Sequence, residues 1–160
     1  MSRKHTMMDK TFNRIDYDPD DDGEFIPDLV FVIMSLSGEG MQDTYSAIKT
    51  ECQKLHLTAR RVDENIGSGL IISEITDLIE KAEFIICDLT HERPSVYYEL
   101  GYAHGVGNEN GDILLIAKEG TALHFDIAPF RVLYYRTTEH LRTILNISLK
   151  GMIKMTRSSY

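Results

Sequence analysis

Tryptophan is missing from these 160 residues, proline occurs four times and cysteine only twice, and each scarcity removes a class of explanation. Cys52, on a predicted helix, and Cys87, at the end of an apolar stretch, form neither a disulfide framework nor a Cys-x-x-Cys or Cys/His ligand spacing, and both read as buried thiols. No apolar run approaches the ~20 residues of a spanning helix; Leu29 to Met34 is among the longest. Positive charge is also in deficit, with 17 Lys and Arg against 25 Asp and Glu and a formal charge of −8. That balance argues against nonspecific nucleic-acid binding, which depends on Lys and Arg neutralising phosphates. A local basic pocket for one small anion remains compatible with it. Met1-Ser-Arg-Lys-His-Thr leads into polar sequence rather than an apolar leader core, so the expected address is cytoplasmic, with no membrane partner.

What is present is ordinary globular material, 42% hydrophobic and 26% charged, of a length suited to one domain. Residues 1–27 lack a hydrophobic period and carry the acidic run Asp16-Tyr-Asp-Pro-Asp-Asp-Asp-Gly23, which predicts a flexible arm. Asp18, Asp20, Asp22 and Gly23 match the first half of a calcium loop. Leu29 stands where its bidentate Glu is required, however, so a solvated acidic linker is the better reading. Residues 28–155 form the predicted domain and 156–160 a tail.

Within that domain Leu29–Met34 has the continuous apolar character of a strand covered on both faces. It is followed by a Ser/Gly turn, Ser35 to Gly40, and a predicted helix from Met41 to Leu55. A second strand spans Leu57 to Val62, and a helix after Gly69 presents Ile71, Ile72, Ile75, Leu78, Ile79 and Ala82 on one face. A third strand, Phe84 to Leu89, runs into a loop. Pro94 then opens a helix reaching about His104, with Val96, Leu100 and Ala103 toward the sheet. Strands at Asp112–Ala117 and Val132–Tyr135 and a helix at Glu139–Ile153 complete the pattern. Alternating strands and helices predict an α/β fold: an open, mostly parallel five-stranded sheet with helices on both faces, of the flavodoxin or Rossmann kind.

Ligands of such sheets bind past the carboxyl ends of the strands. That rule selects three loops, and with them Met34, Ser35, Ser37 and Gly38, then Asp63, Gly67 and Gly69, then Asp88 and Thr90. The helices that follow aim N–H groups at the same edge, which suits a small anion. Glu99 stands out because Val96 and Ala103 lie three before and four after it, placing a carboxylate on a sheet-facing surface where it is costly unless paired or functional. A surface Glu on a helix of slightly different phase is the alternative. Gly101 favours the first view, since an interior helical glycine often marks a close approach of backbone or ligand. Asp88 either caps its loop or shares the crevice with Glu99. Tyr97, Tyr98 and Tyr102 offer rings for stacking on a base, with core packing the competing role.

His104 reads as a helix-end residue, since no second His or Cys stands at ligand spacing, and no metal is expected. Gly38-Glu-Gly40 begins like a dinucleotide fingerprint, but Asp43 occupies the place of its third glycine. A phosphate loop of the Gly-x-x-x-x-Gly-Lys-[Ser/Thr] kind is absent.

The stretch Asp88-Leu-Thr-His-Glu-Arg-Pro-Ser-Val-Tyr-Tyr-Glu-Leu-Gly-Tyr-Ala-His-Gly105 resembles the signature of the nucleoside deoxyribosyltransferase-like superfamily, including its bacterial TIR-like, nucleotide-binding branch. Val30-Phe-Val-Ile-Met34, Arg60-Arg-Val-Asp-Glu64, and Phe125-Asp-Ile with Phe130-Arg131 before Tyr134-Tyr135 agree with it, so the similarity spans Leu29 to Tyr135. The resemblance implies a catalytic carboxylate at Glu99, a sugar-contacting acid at Asp88 and a substrate contact at Asp126. It implies an enzyme that cleaves or transfers at the N-glycosidic bond of a nucleoside or nucleotide without a cofactor, with NAD as a candidate substrate. A TIR-like NAD-hydrolysing effector and a non-catalytic nucleotide-sensing module are the alternatives. That branch often reads Met-Pro-Phe after strand one where this chain has Met34-Ser35-Leu36, leaving an aromatic wall for the base either missing or replaced by a tyrosine. A homo-oligomer is expected, since small domains of this type often complete a pocket with a neighbour.

Overall fold

A computed structural model describes residues 25–62, 68–91, 93–108, 111–124, 126–127 and 129–158. The acidic run at 16–23 and the ends of the chain lie outside these residues. The elements are β1 (Ile26–Ile33), α1 (Met41–Lys54), β2 (Thr58–Arg60), α2 (Ser68–Lys81), β3 (Ala82–Asp88), α3 (Pro94–Gly105), β4 (Ile113–Lys118), β5 (Val132–Tyr135) and α4 (Thr138–Arg157). All five strands are parallel in the order β2-β1-β3-β4-β5, the flavodoxin-like arrangement. No helix among the described residues is long and apolar enough to cross a membrane.

The alternation of β3 divides the core. Ile85, Cys87 and Leu89 pack with Leu78 and Ile79 of α2 and with Val96, Leu100 and Ala103 of α3. Phe84 and Ile86 point the other way, against Ala47, Ile48 and Cys52 of α1 and Leu141, Leu145 and Leu149 of α4. Each of the Val, Leu, Ile and Phe side chains among them contributes about 1.5–3 kcal/mol by leaving water. The predicted elements are therefore present, with shifted ends. β2 keeps only the three residues that pair with Leu29, Val30 and Phe31 at the sheet's edge. β3 begins directly after α2, two residues earlier than its apolar run suggests.

α4 runs past Ile153 because its last turn has a partner on the sheet. The Arg157 guanidinium donates to both Glu83 carboxylate oxygens at 3.1 Å and to Asp28 Oδ1 at 2.6 Å. Asp28, at φ 64°, sits in a register shift of β1 and donates its N–H to Glu83 Oε2 at 2.7 Å. Glu83 is nearly buried while Arg157 is about half exposed, so the loss on truncation is unequal. Glu83→Ala is expected to lower unfolding free energy by about 2 kcal/mol, since it strands a backbone donor as well as Arg157. Arg157→Ala should cost less, after solvent screening. Equal losses in urea titrations would contradict this account.

α1 ends in a Schellman turn: Leu57 N–H bonds to the Cys52 carbonyl at 2.9 Å and His56 N–H to the Gln53 carbonyl at 3.1 Å. His56 holds φ 59° there, a position that favours glycine. His56→Gly should therefore raise stability by up to about 1 kcal/mol, a left-handed residue with a Cβ costing roughly that much. A fall in melting temperature would show that the imidazole contributes more than its backbone strain removes.

Candidate functional site

The strand order reverses between β1 and β3, so the loops after those strands frame the crevice that this topology offers to ligands. Three contacts shape them. The Ser35 hydroxyl donates to the Ser37 carbonyl at 2.6 Å, Arg93 Nη2 donates to Ser37 Oγ at 3.2 Å, and His91 Nε2 lies 3.3 Å from the Glu39 carbonyl. Since that carbonyl only accepts, Nε2 carries the proton in this contact. Gly38, at φ 123°, lies so near His91 that a Cβ would stand 2.6 Å from Nε2. The loop thus needs glycine here for close approach to its neighbour.

Beneath these loops, on the α2/α3 side, a small cavity is lined by Phe31, Val32, Met34, Leu36, Arg61, Val62, Ile75, Ser95 and Glu99. Glu99 is half-buried in the second turn of α3, one turn after Ser95. At about 30 Å³ the cavity has room for about one water. A larger ligand must therefore displace side chains at its lip, where Leu36 and Arg61 are only partly buried. Arg61 stacks on Tyr45, its Cζ 4.1 Å from the ring centroid, and donates to Gln42 Oε1 at 3.1 Å and, more weakly, to Met34 Sδ at 3.8 Å.

Asp88 does not join this cavity. Its side chain lies on the α1/α4 face, where Oδ1 accepts the Thr90 N–H at 2.8 Å and Oδ2 the Tyr135 hydroxyl at 2.9 Å. Tyr135 Oη is also 3.1 Å from Thr90 Oγ1 and 3.4 Å from Thr44 Oγ1, and Thr90 Oγ1 accepts the Lys118 N–H at 2.9 Å. The expectation of a shared crevice is corrected by the parity of β3: Cys87 faces α2 and α3, so Asp88 faces away from Glu99. Asp88 takes the capping role, fixing the turn that leads to α3. Burial pushes its carboxyl above the usual range despite the opposing bonds from Thr90 and Tyr135 and the influence of His91. Burial, with Asp88 adding to it, also pushes the Tyr135 phenol up to about 12. Cys87 is raised chiefly by burial and further by the charges of Asp88 and Glu99.

Other expected contacts are dispersed. Met34 lines the cavity, Ser35, Ser37 and Gly38 form the loop above it, and Thr90 belongs to the Asp88 network. Tyr98 is 63% exposed, and the Tyr102 hydroxyl donates to the Glu80 carboxylate, tying α3 to α2. Neither tyrosine lines the cavity, Tyr98 standing in solvent and the Tyr102 hydroxyl being engaged by Glu80; the wall there is Leu36. Gly101 is exposed, and a Cβ there would meet nothing within 4 Å, so no neighbour among the described residues explains it. Asp126 is exposed and pairs with His124 at 3.4 Å. Gly69 falls in the first turn of α2, whereas Asp63 and Gly67 lie outside the described residues.

Arg61 and Ser95 are cavity residues that the sequence reading did not select. Ser95 could have been found from its i, i+4 relation to Glu99. Arg61 had no comparable signal beside its neighbour Arg60. Among the described residues, no cluster of three or more His, Cys, Asp or Glu stands ready to hold a metal. A wider groove of about 290 Å³ between α1 and α4 contains Glu51, Lys54 and Arg142. Its buried carboxylate already pairs with Lys54 at 2.7 Å and Arg142 at 3.6 Å.

No protein-family model matches the sequence, and no curated protein matches it. Solved structures do resemble it. The CMP N-glycosidase BcmB of Clostridium botulinum superposes with a TM-score of 0.59 at 15% identity, over 74% of this chain and 98% of that one. The diflavin flavoprotein A3 of Nostoc sp. gives 0.53 at 13% identity, over 82% and 96%. A flavo di-iron protein mutant of Thermotoga maritima gives 0.61 at 15% identity over 81% of this chain, which spans 37% of that larger protein. At these identities the likeness is one of architecture, and it agrees with the strand order: the chain has a five-stranded, all-parallel, flavodoxin-like α/β fold.

Proposed function

We propose that this chain binds a nucleotide or nucleoside and breaks or transfers its N-glycosidic bond through Glu99. The observation that carries the proposal is the half-buried Glu99 carboxylate in an otherwise largely apolar cavity at the β1/β3 switch point, with Arg61 and Ser95 beside it. The C. botulinum neighbour, a CMP N-glycosidase, supports the same class of chemistry. Fold likeness alone does not imply activity.

In the proposed reaction a Glu99 oxygen forms a bond to the anomeric carbon as the bond from that carbon to the base nitrogen breaks, through an oxocarbenium-like transition state. The electron pair leaves with the base, which takes up a proton unless it departs, like nicotinamide, from a cationic state. Water or a second base then attacks the glycosyl ester and frees the carboxylate. Because Asp88 is committed to Thr90 and Tyr135, a second carboxylate is not available to it from β3. That placement favours one competing reading, a module that binds a nucleotide without turning it over.

The test is chromatography of purified protein incubated separately with CMP, dCMP, deoxynucleosides and NAD. Release of free base at a rate above the protein-free control supports catalysis, and the substrate that yields it separates the nucleotide, nucleoside and NAD forms. Binding with no base from any of them would select the sensing module instead.

A further inference from the structure

We infer that the outer face of α4 is a dimer interface, on which two copies of this chain pair antiparallel about a two-fold axis at Ile147. Glu139, Thr143, Ile147, Gly151 and Met155 stand four residues apart and form one row along the helix, and all five are exposed. Ile147, at the middle of the row, is 67% exposed. Gly151, one turn further on, is an interior glycine of the kind that weakens a helix. A Cβ there would meet nothing within 4 Å, so no neighbour among the described residues requires it. Close approach by a second chain would. Beside the row lies the groove of about 290 Å³ between α1 and α4, whose lining includes Glu139, Thr143 and Ile147. An incoming helix thus meets a depression rather than a smooth cylinder.

Charge and symmetry together select a second copy as the occupant. The face carries opposite charges at its two ends, Glu139 in the first turn of α4 and Lys154 in the last. They stand about 22 Å apart at 1.5 Å of rise per residue, and among the described residues neither enters an ion pair. Glu139 lies eight residues before Ile147 and Lys154 seven after it. An axis at Ile147 therefore brings each Glu139 level with Lys154 of the other copy, giving two equal ion pairs, as an isologous interface requires. Thr143 and Gly151 lie four residues to either side of the axis, so each threonine faces a residue without a side chain. The helices can then approach closely enough for Ile147 to cover Ile147. A parallel pair would instead set Glu139 against Glu139 and Lys154 against Lys154, with the helix dipoles aligned. α4 packs on the α1 side of the sheet and the Glu99 cavity lies on the α2/α3 side. Pairing through α4 leaves both cavities open.

One helix from each copy makes a small interface, so a dimer with a dissociation constant on the order of 10 µM is expected. Sedimentation velocity of the full chain from about 1 to 500 µM spans that value. Ile147→Asp sets two carboxylates at the axis and should leave a monomer throughout the range. Glu139→Lys or Lys154→Glu alone should weaken association roughly 10-fold, and the double variant should restore it to within a few-fold of the parent. Gly151→Leu should raise the melting temperature, since leucine is the better helix former, while weakening the dimer by crowding Thr143 of the second copy. Melting curves confirm that each variant is folded. Four results overturn the inference. They are a parental monomer across the whole range, a dimer indifferent to Ile147→Asp, association unchanged by the single charge reversals, and a double variant no tighter than either single one. The third would mean that Glu139 and Lys154 serve only the dipole of their own helix, and the last that copies meet in another register or on another face.

Discussion

Glu99→Gln is expected to abolish base release, lowering turnover by roughly three orders of magnitude or more while the protein folds normally and still binds nucleotide. The substitution keeps the size and most of the hydrogen-bonding shape of the side chain. What it removes is the charged oxygen that forms the bond to the anomeric carbon. Among the described residues no other carboxylate lines the cavity, and Asp88 lies across the sheet, so none of them substitutes for the lost step. A structural Glu99 would give the opposite pattern, a lower melting temperature with turnover within a few-fold of the parent. Paired measurements of melting temperature and base release separate the two. Substantial turnover in a well-folded Glu99→Gln protein would remove the residue from the nucleophilic role.

Asp88→Ala is expected to cost about 3 kcal/mol of stability, because it deletes both acceptors from a buried network and leaves the Tyr135 hydroxyl and the Thr90 N–H to find others. Asp88→Asn should cost far less, since an amide can accept from Thr90 and donate to Tyr135. The two proteins should also differ in pH dependence. Burial raises the folded-state pKa of Asp88, whereas an unfolded aspartate titrates near 3.9. Between those values the folded chain holds a proton that the unfolded chain has released. The contribution of Asp88 is thus fully present below about pH 3.9 and is lost as pH rises through the folded pKa. Asp88→Asn lacks this titration, so the parent should gain on the variant as pH is lowered from 7 toward 4. Urea titrations across that range check the sign. An advantage of the parent over the variant that stays constant, or that shrinks toward acid, would show that hydrogen bonding outweighs burial at this carboxyl.

Elements defined by local pattern were legible in the sequence. Val96, Leu100 and Ala103 repeat at helical spacing and are the residues α3 buries, and strand-helix alternation was enough to bring the right loops to the right edge of the sheet. Relations across long separations were not. The period of two along β3 places Asp88 opposite Cys87, but only packing decides that α3 covers the Cys87 side. The bond from Tyr135 to Asp88 spans 47 residues, and that from Arg157 to Glu83 spans 74; no local rule links either pair. Arg61 was hidden for a related reason. Two adjacent arginines at a strand end look alike until α1 supplies Gln42 and Tyr45 to hold one of them. The tyrosines of α3 misled because an aromatic-rich helix near a site resembles a stacking platform, whereas Tyr98 faces solvent and Tyr102 is held by Glu80 of α2.

The clasp of Arg157 on Asp28 and Glu83 brings residues 28 and 157 to the same margin of the sheet. In a parallel sheet this margin, where strands begin, lies opposite the one where the cleft opens, on the order of 20 Å away for a strand of six residues. Residues 28 and 157 therefore stand together at the edge opposite the proposed cleft. A fusion partner, a tether or a second domain joined there can be carried without crowding the entrance at Glu99. The same proximity makes the chain a natural subject for circular permutation, in which a short linker replaces the clasp and new ends open in a surface turn such as the one at Gly120.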